Sequence, residues 1–327
     1  MSRPAAQAEF TAQRRATLAR VPLFRDGPAA TARLGALYGR GLATGGLVHE
    51  HAPGWQLAYF RDPAVWYGGA ATIAFVDRDP HAPRALSELA SALRAHAEGL
   101  DATTLLEMTA EDDALREVVT AETGLGVDSV FQVGAADVAL RAVADAAWPV
   151  AAAGLGLAVR AARIGDVDAV VALAREAFTA EPAYCWFGAY PHHLDSVRRG
   201  LEHALRAGDG VHLIVEGADR EVLGHVGADI DDHAFWGRSA GLDIVLAPAL
   251  RGRGLLKVLY RDVLARLVHE HQVATLRGGT AQPGVLALGR RMGRAWGALH
   301  LRRDVAFPFA HFAAFQPPRD LRVAPYS

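Results

Sequence analysis

Two arginines alternate with two glycines at Arg251-Gly252-Arg253-Gly254, immediately before a run that places Leu255, Leu256, Leu259, Val263 and Leu267 on one helical face. The first N–H groups of a helix lack internal partners, and glycine lets backbone approach a ligand closely. A turn of this composition therefore suits anionic oxygens such as those of a pyrophosphate, and the arginines reinforce the preference. Upstream, Asp243 to Ala247 carries Ile, Val and Leu in succession, an apolar strand that Pro248 stops. Two familiar phosphate loops are excluded. A Walker loop needs G-x-x-x-x-G-K-S/T, which the sequence lacks, and a dinucleotide fingerprint needs a third glycine where Lys257 stands.

The stretch from Leu246 through Leu256 resembles the coenzyme A loop of the GNAT acyltransferases, approximately Val-x-Pro-x-x-Gln/Arg-x-x-Gly-x-Gly/Ala. It departs in having Leu246 for Val and Leu256 for the final small residue. Val159 to Phe178 resembles the opening strand and helix of a GNAT domain, with Asp166 as the expected N-cap, and the resemblance covers most of residues 157–304. It implies acetyl-coenzyme A, or another acyl-coenzyme A, as co-substrate. The residues implied to hold it are Val245, Leu246, Ala247, Arg251, Gly252, Arg253, Gly254, Leu255 and Leu256, with Gln282 where the family's Thr-x-Asn has Asn.

The activity implied is direct transfer of an acetyl or other acyl group to an amine of a small molecule in a ternary complex. That chemistry needs an unprotonated amine beside the thioester, a donor for the developing oxyanion and a place for the thiolate. Backbone N–H groups near Val245 to Ala247 are the candidate donor. Asp243, where family members often carry an acidic or polar residue facing the acceptor, is the leading general base, and His225 is the competing one. Asp243 reads equally as a solvent-facing strand-end carboxylate. The tyrosine that often protonates the leaving thiolate would stand at Gly289, so that assignment is absent, and Arg294 replaces the Phe of the family's Gly-Phe. A thiol of pKa about 8.5 still leaves tolerably as an anion. Tyr260 is an alternative donor, at a spacing that also suits the core. The alternative to an enzyme is a non-catalytic acyl-coenzyme A-binding or regulatory module.

These residues need elements to hold them. Val211 to Glu216 and Glu221 to Asp229 read as a hairpin, and Ala274 to Leu276 as the strand before Thr280-Ala281-Gln282. Tyr184, Trp186, Phe187 and Tyr190 crowd a loop, where aromatics either line an acceptor pocket or cover the core edge. The first half repeats the order with strands at Trp55 to Phe60, Trp66 to Val76, Thr103 to Met108 and Asp128 to Val133, and helices at Arg84 to Ala97 and Asp113 to Glu122. Its counterpart of the glycine turn, Asp77 to Pro83, carries aspartates and prolines that repel phosphate and remove donors. The fold expected is α/β (α+β), two GNAT-like domains each with a mixed, mostly antiparallel central sheet flanked by helices. The boundaries are a degenerate domain over 1–142, a linker over 143–156, and an acyltransferase domain with C-terminal extension over 157–327.

Composition narrows the partners. The 327 residues are 51% hydrophobic and 21% charged with formal net charge -2, so no global basic field recruits nucleic acid or an anionic membrane. A single cysteine, Cys185, excludes an internal disulfide and any Cys-x-x-Cys site, and the cytoplasm is the expected location. His49-Glu50-His51 and His269-Glu270-His271 lack the spacing of a zinc protease motif, so no metal is expected, and no nucleophile elbow exists.

Overall fold

In the computed structural model, which describes residues 3–63, 70–149, 155–180, 193–303 and 309–314, the two hydrophobic periods of the sequence become one sheet and the helices on its faces. The first half opens with α1 (Arg3–Leu18) and α2 (Pro28–Ala43), which the sequence reading had left unassigned. It continues with β1 (Val48–Ala52), β2 (Trp55–Asp62), β3 (Ala71–Arg78), α3 (Ala85–His96), β4 (Thr104–Thr109), α4 (Asp113–Thr123), β5 (Gly126–Ala135) and α5 (Ala136–Val143). The second half contains β6 (Ala158–Ala161), α6 (Val167–Ala180), α7 (His193–Ala207), β7 (Gly210–Glu216), β8 (Val222–His233) and β9 (Gly237–Leu246). After the turn come α8 (Leu255–His269), β10 (Thr275–Thr280), α9 (Pro283–Arg291), β11 (Ala295–Arg302) and the short α10 (Phe309–Ala313).

The strand order is β1-β2-β3-β4-β11-β5-β10-β9-β8-β7-β6, with only β3–β4 and β10–β9 parallel. The mixed, mostly antiparallel α/β architecture is present. Among the described residues the strands of both halves join edge to edge in one sheet. The two halves have exchanged their final strands: β11 lies between β4 and β5, and β5 lies between β11 and β10. Each parallel strand–helix–strand unit, β3-α3-β4 and β9-α8-β10, thus borrows its next neighbour from the other half. The repeat extends to the helix ends, where Gly124 after α4 and Gly293 after α9 both have φ of 70°.

Packing follows the amphipathic stripes. On α8, Leu255, Leu259, Val263 and Leu267 are at most 1% exposed and meet Leu276 of β10 and Val226 of β8 in one apolar cluster. Burial of each such side chain stabilises the fold by about 1.5–3 kcal/mol. The opposite face of the second half carries α6 and α7 through Val167, Val170, Leu201 and Ile214. Helix α8 is therefore anchored along its length, which fixes where its N-terminus points.

Candidate functional site

Strands β9 and β10 pair only at Thr275–Ser239, Leu276–Ala240 and Arg277–Gly241, yet β9 continues to Leu246 and β10 to Thr280. Beyond Arg277 and Gly241 the two strands part and leave a V-shaped opening. The equivalent pair in the first half stays zipped from Thr72–Thr104 to Val76–Met108, and Arg78 spans its mouth with a bidentate pair to Asp112 at 2.7 and 2.8 Å. The opening belongs to the second half alone among these two parallel pairs.

The open strand presents a defined set of donors. Ala247 N–H donates to Leu223 O of β8 at 2.8 Å. Alternation along an antiparallel strand then turns Val245 N–H toward β8 as well, and aims those of Ile244 and Leu246 into the opening. Ile244 N–H is taken by Asp243 Oδ1 at 2.8 Å. The expected donor range Val245 to Ala247 is thereby reduced to Leu246; the Val245 side chain packs under α6 and α7 instead.

At the end of β9, Pro248–Leu250 forms a single 3-10 turn and Gly252 and Gly254 take φ of 71° and 80°, a left-handed geometry costly for other residues. Arg251 Nε donates to Leu246 O at 3.0 Å and Arg253 Nε to Ala249 O at 2.6 Å, so both arginines brace the turn they belong to. Helix α8 starts at Leu255, itself buried, with no side chain capping its N-terminus, and Leu256 is half-buried. The first N–H groups of such a helix and the positive end of its dipole fit an anion.

Asp243 shares a cross-strand row with Gly227 and His212, on the face opposite Leu242. Its side chain retains open contact with solvent, but protein crowds it closely enough that desolvation raises its pKa, a combination expected at the floor of an open cleft. His225, the competing base, lies inside the packing. It is 4% exposed, stacks on His212 with ring centroids 5.5 Å apart, and burial together with the His212 charge pushes its pKa down to about 3. Such a ring is weakly basic and enclosed by protein, which favours Asp243 over it as the base.

Gln282 stands at the N-cap of α9, beyond the open end of β10, with its N–H donating to Thr280 Oγ1 at 3.0 Å. Asp166 is more than a cap: it accepts from Arg163 N–H and pairs with Arg160 in the turn before α6. At Gly289 an added Cβ would stand 2.3 Å from Oε1 of Gln132, so the slot for a helix tyrosine is filled by a side chain of the exchanged strand β5. Tyr260 is 2% exposed and burial raises its pKa to about 12; it is electrostatically coupled to both Asp243 and Arg294. Tyr184, Trp186, Phe187 and Tyr190 lie outside the described residues. Among the described residues, no group of three His, Cys, Asp or Glu side chains could hold a metal, and no helix is long and apolar enough to cross a membrane.

The sequence reading treated Arg294 only as a departure from an apolar position and missed Gln132. The signal available for the first was a charge in a slot that should be buried. Nothing local marks the second.

No protein-family model and no curated protein matches the chain. Among solved structures, a GCN5-related N-acetyltransferase from Sphaerobacter thermophilus aligns at 13% identity over 77% of this chain and 78% of its own, with a TM-score of 0.48. A tandem GNAT protein from the clavulanic acid biosynthesis pathway aligns at 14% identity over 90% and 94%, TM-score 0.44. A GCN5-related N-acetyltransferase from Kribbella flavida aligns at 17% identity over 86% and 97%, TM-score 0.44. The solved structures to which this chain is similar therefore include GCN5-related N-acetyltransferases and a tandem GNAT protein.

Proposed function

We propose that the chain transfers an acetyl or other acyl group from coenzyme A to the amine of a small molecule, by direct attack in a ternary complex. The observation that carries this reading is the parting of β9 from β10 directly upstream of an uncapped helix N-terminus. Such a groove accepts an extended arm between two strands, and the turn at Arg251 to Gly254 accepts the pyrophosphate at its end. The degenerate first half has neither feature and supplies strands and packing instead.

In this mechanism the amine nitrogen donates its lone pair to the thioester carbonyl carbon, the C–N bond forms, and the C–S bond breaks with the electron pair leaving on sulfur. Leu246 N–H faces the groove and is available to an amide carbonyl of the extended arm. Asp243 takes the proton lost by the amine, and its raised pKa makes it a better base near neutral pH than an ordinary aspartate. The thiolate leaves without a tyrosine at Gly289, as its own acidity permits.

Incubation with acetyl-coenzyme A and a panel of primary amines, following free thiol, tests the reading; amine-dependent thiol release is expected. The filled slot at Gly289 favours one alternative, a module that binds acyl-coenzyme A without turnover. Calorimetric binding without thiol release on any amine would support that alternative. Absence of binding would remove both.

A further inference from the structure

Arg294 crosses the sheet on its α8 face. Its stem lies on Gly134 of β5, where an added Cβ would come within 2.9 Å of Cγ, and its guanidinium reaches Gly278 of β10, where an added Cβ would stand 3.4 Å from Nη2 and 3.6 Å from Leu242 O of β9. Gly278 directly follows Arg277, the last residue of β10 paired with β9, so the guanidinium lies at the apex of the opening. Two glycines clear its path.

This cation is poorly satisfied. Nη2 donates to Gln132 O at 3.2 Å, but Nε is buried without a partner, and the residue is 3% exposed. Among the described residues no carboxylate pairs with it, and the neighbouring Tyr260 phenol stays neutral. The Gln132 side chain beneath Gly289 is fully buried with both Oε1 and Nε2 unpartnered. Buried unpaired polar groups are rare in native proteins, and a lone buried guanidinium is destabilising unless an anion arrives. A neutral acetyl group brings none.

The geometry also says from which side an anion comes. Asp243 faces the opposite side of the sheet, where an amine acceptor would approach, whereas Arg294 faces the interior under α8. From Ala247 to Leu242 the strand covers five residues, about 17 Å at 3.3 Å per residue. An extended pantetheine arm starting at the turn spans that distance and delivers its acyl end at the apex.

We propose that Arg294 selects the donor: the site takes a coenzyme A thioester whose short acyl chain ends in a carboxylate, malonyl or succinyl, and that carboxylate pairs with the Arg294 guanidinium. Gln132 Nε2 supplies a further hydrogen bond. The inference rests on the acyl-coenzyme A reading above, and the transferred bond is the same; the terminal carboxylate passes through unchanged.

The test is calorimetry of the full chain with coenzyme A, acetyl-coenzyme A, malonyl-coenzyme A and succinyl-coenzyme A. At least one dicarboxylic thioester should bind about tenfold or more tightly than acetyl-coenzyme A, as a charge-assisted pair in a dry site predicts. In Arg294→Met that ratio should collapse to near one, while Arg294→Lys retains part of it. Removal of an unpaired buried charge does not compromise folding, which a melting curve of Arg294→Met checks. Equal affinity for all acyl thioesters in the unmodified protein overturns the proposal and leaves the coenzyme site standing. A defect in Arg294→Met confined to the acceptor KM, with donor preference intact, overturns it too. If coenzyme A and all its thioesters fail to bind, the underlying reading falls with it.

Discussion

Replacing Gly254 by Glu separates the two demands placed on the turn. The position has φ of 80°, and a Cβ there would sit 3.3 Å from Cγ of Pro149. A left-handed backbone costs a non-glycine residue about 1–2 kcal/mol. A carboxylate at a helix N-terminus returns about 0.3–1 kcal/mol through the dipole. The net loss of stability is therefore about 1 kcal/mol, a fall of a few degrees in melting temperature. Affinity should suffer far more. Two like charges about 5 Å apart repel by about 1 kcal/mol in water and about 3 kcal/mol at an effective dielectric of 20, and the bulk of the side chain adds to this. Acetyl-coenzyme A binding should fall by at least ten- to a hundredfold in Gly254→Glu. Gly254→Ala, which carries the backbone strain without the charge, should lose less. Calorimetry at low and high salt makes the comparison sharper, since the charge component alone shrinks with ionic strength. Unaltered affinity in Gly254→Glu would refute the assignment of this turn to the coenzyme.

Asp243→Asn should lower turnover about 10²-fold, with the deficit shrinking as pH rises and unprotonated amine becomes abundant; a pH-independent change would refute the base role. Because burial raises the Asp243 pKa, its ionised form weakens the fold as pH rises through that value, so Asp243→Asn should melt no lower than the parent at pH 7. His225→Gln should leave turnover nearly intact. Titration with acetyl-coenzyme A should saturate at one equivalent per chain, since Arg78–Asp112 closes the first-half counterpart; two equivalents would refute this. Burial alone would lift the Glu107 pKa, but the Arg14 charge and His300 hold it at about 2, so the stability it contributes is complete above about 4.5 and lost as pH falls toward 2. Arg14 is buried and pairs with both Asp77 and Glu107, and Arg14→Met should cost about 3–5 kcal/mol by denaturant titration and flatten that acid limb.

The legible parts of the molecule were the local ones. The run from Asp243 through Leu267 reads correctly because the strand, the proline stop, the glycine turn and the helical stripe each follow from neighbours within a few residues. The repeat of strand, helix and strand was legible for the same reason. What failed depends on distant pairing. Gly289 looked like a lost tyrosine, but its emptiness is explained by Gln132, which belongs to the other half of the sequence. Strand alternation places His225 on the face of Asp243, yet only the helices packed over that face show that the imidazole is sealed against His212. Helix α1 escaped because its buried positions include Thr11, Arg14 and Thr17, which do not read as an apolar stripe although Arg14 is as buried as a leucine.

The exchanged strands also set a timetable for synthesis. Ser129 of β5 and His300 of β11 are cross-strand partners separated by 171 positions along the chain. At about 5–20 residues per second, roughly 10–30 s pass between translation of one and of the other. Throughout that interval β4 and β5 have been made but the strand that must lie between them has not, so two long edges with unpaired N–H and C=O groups wait for it. The first half cannot finish its own sheet, and the wall of the groove beyond β10 is a strand made long before the groove itself.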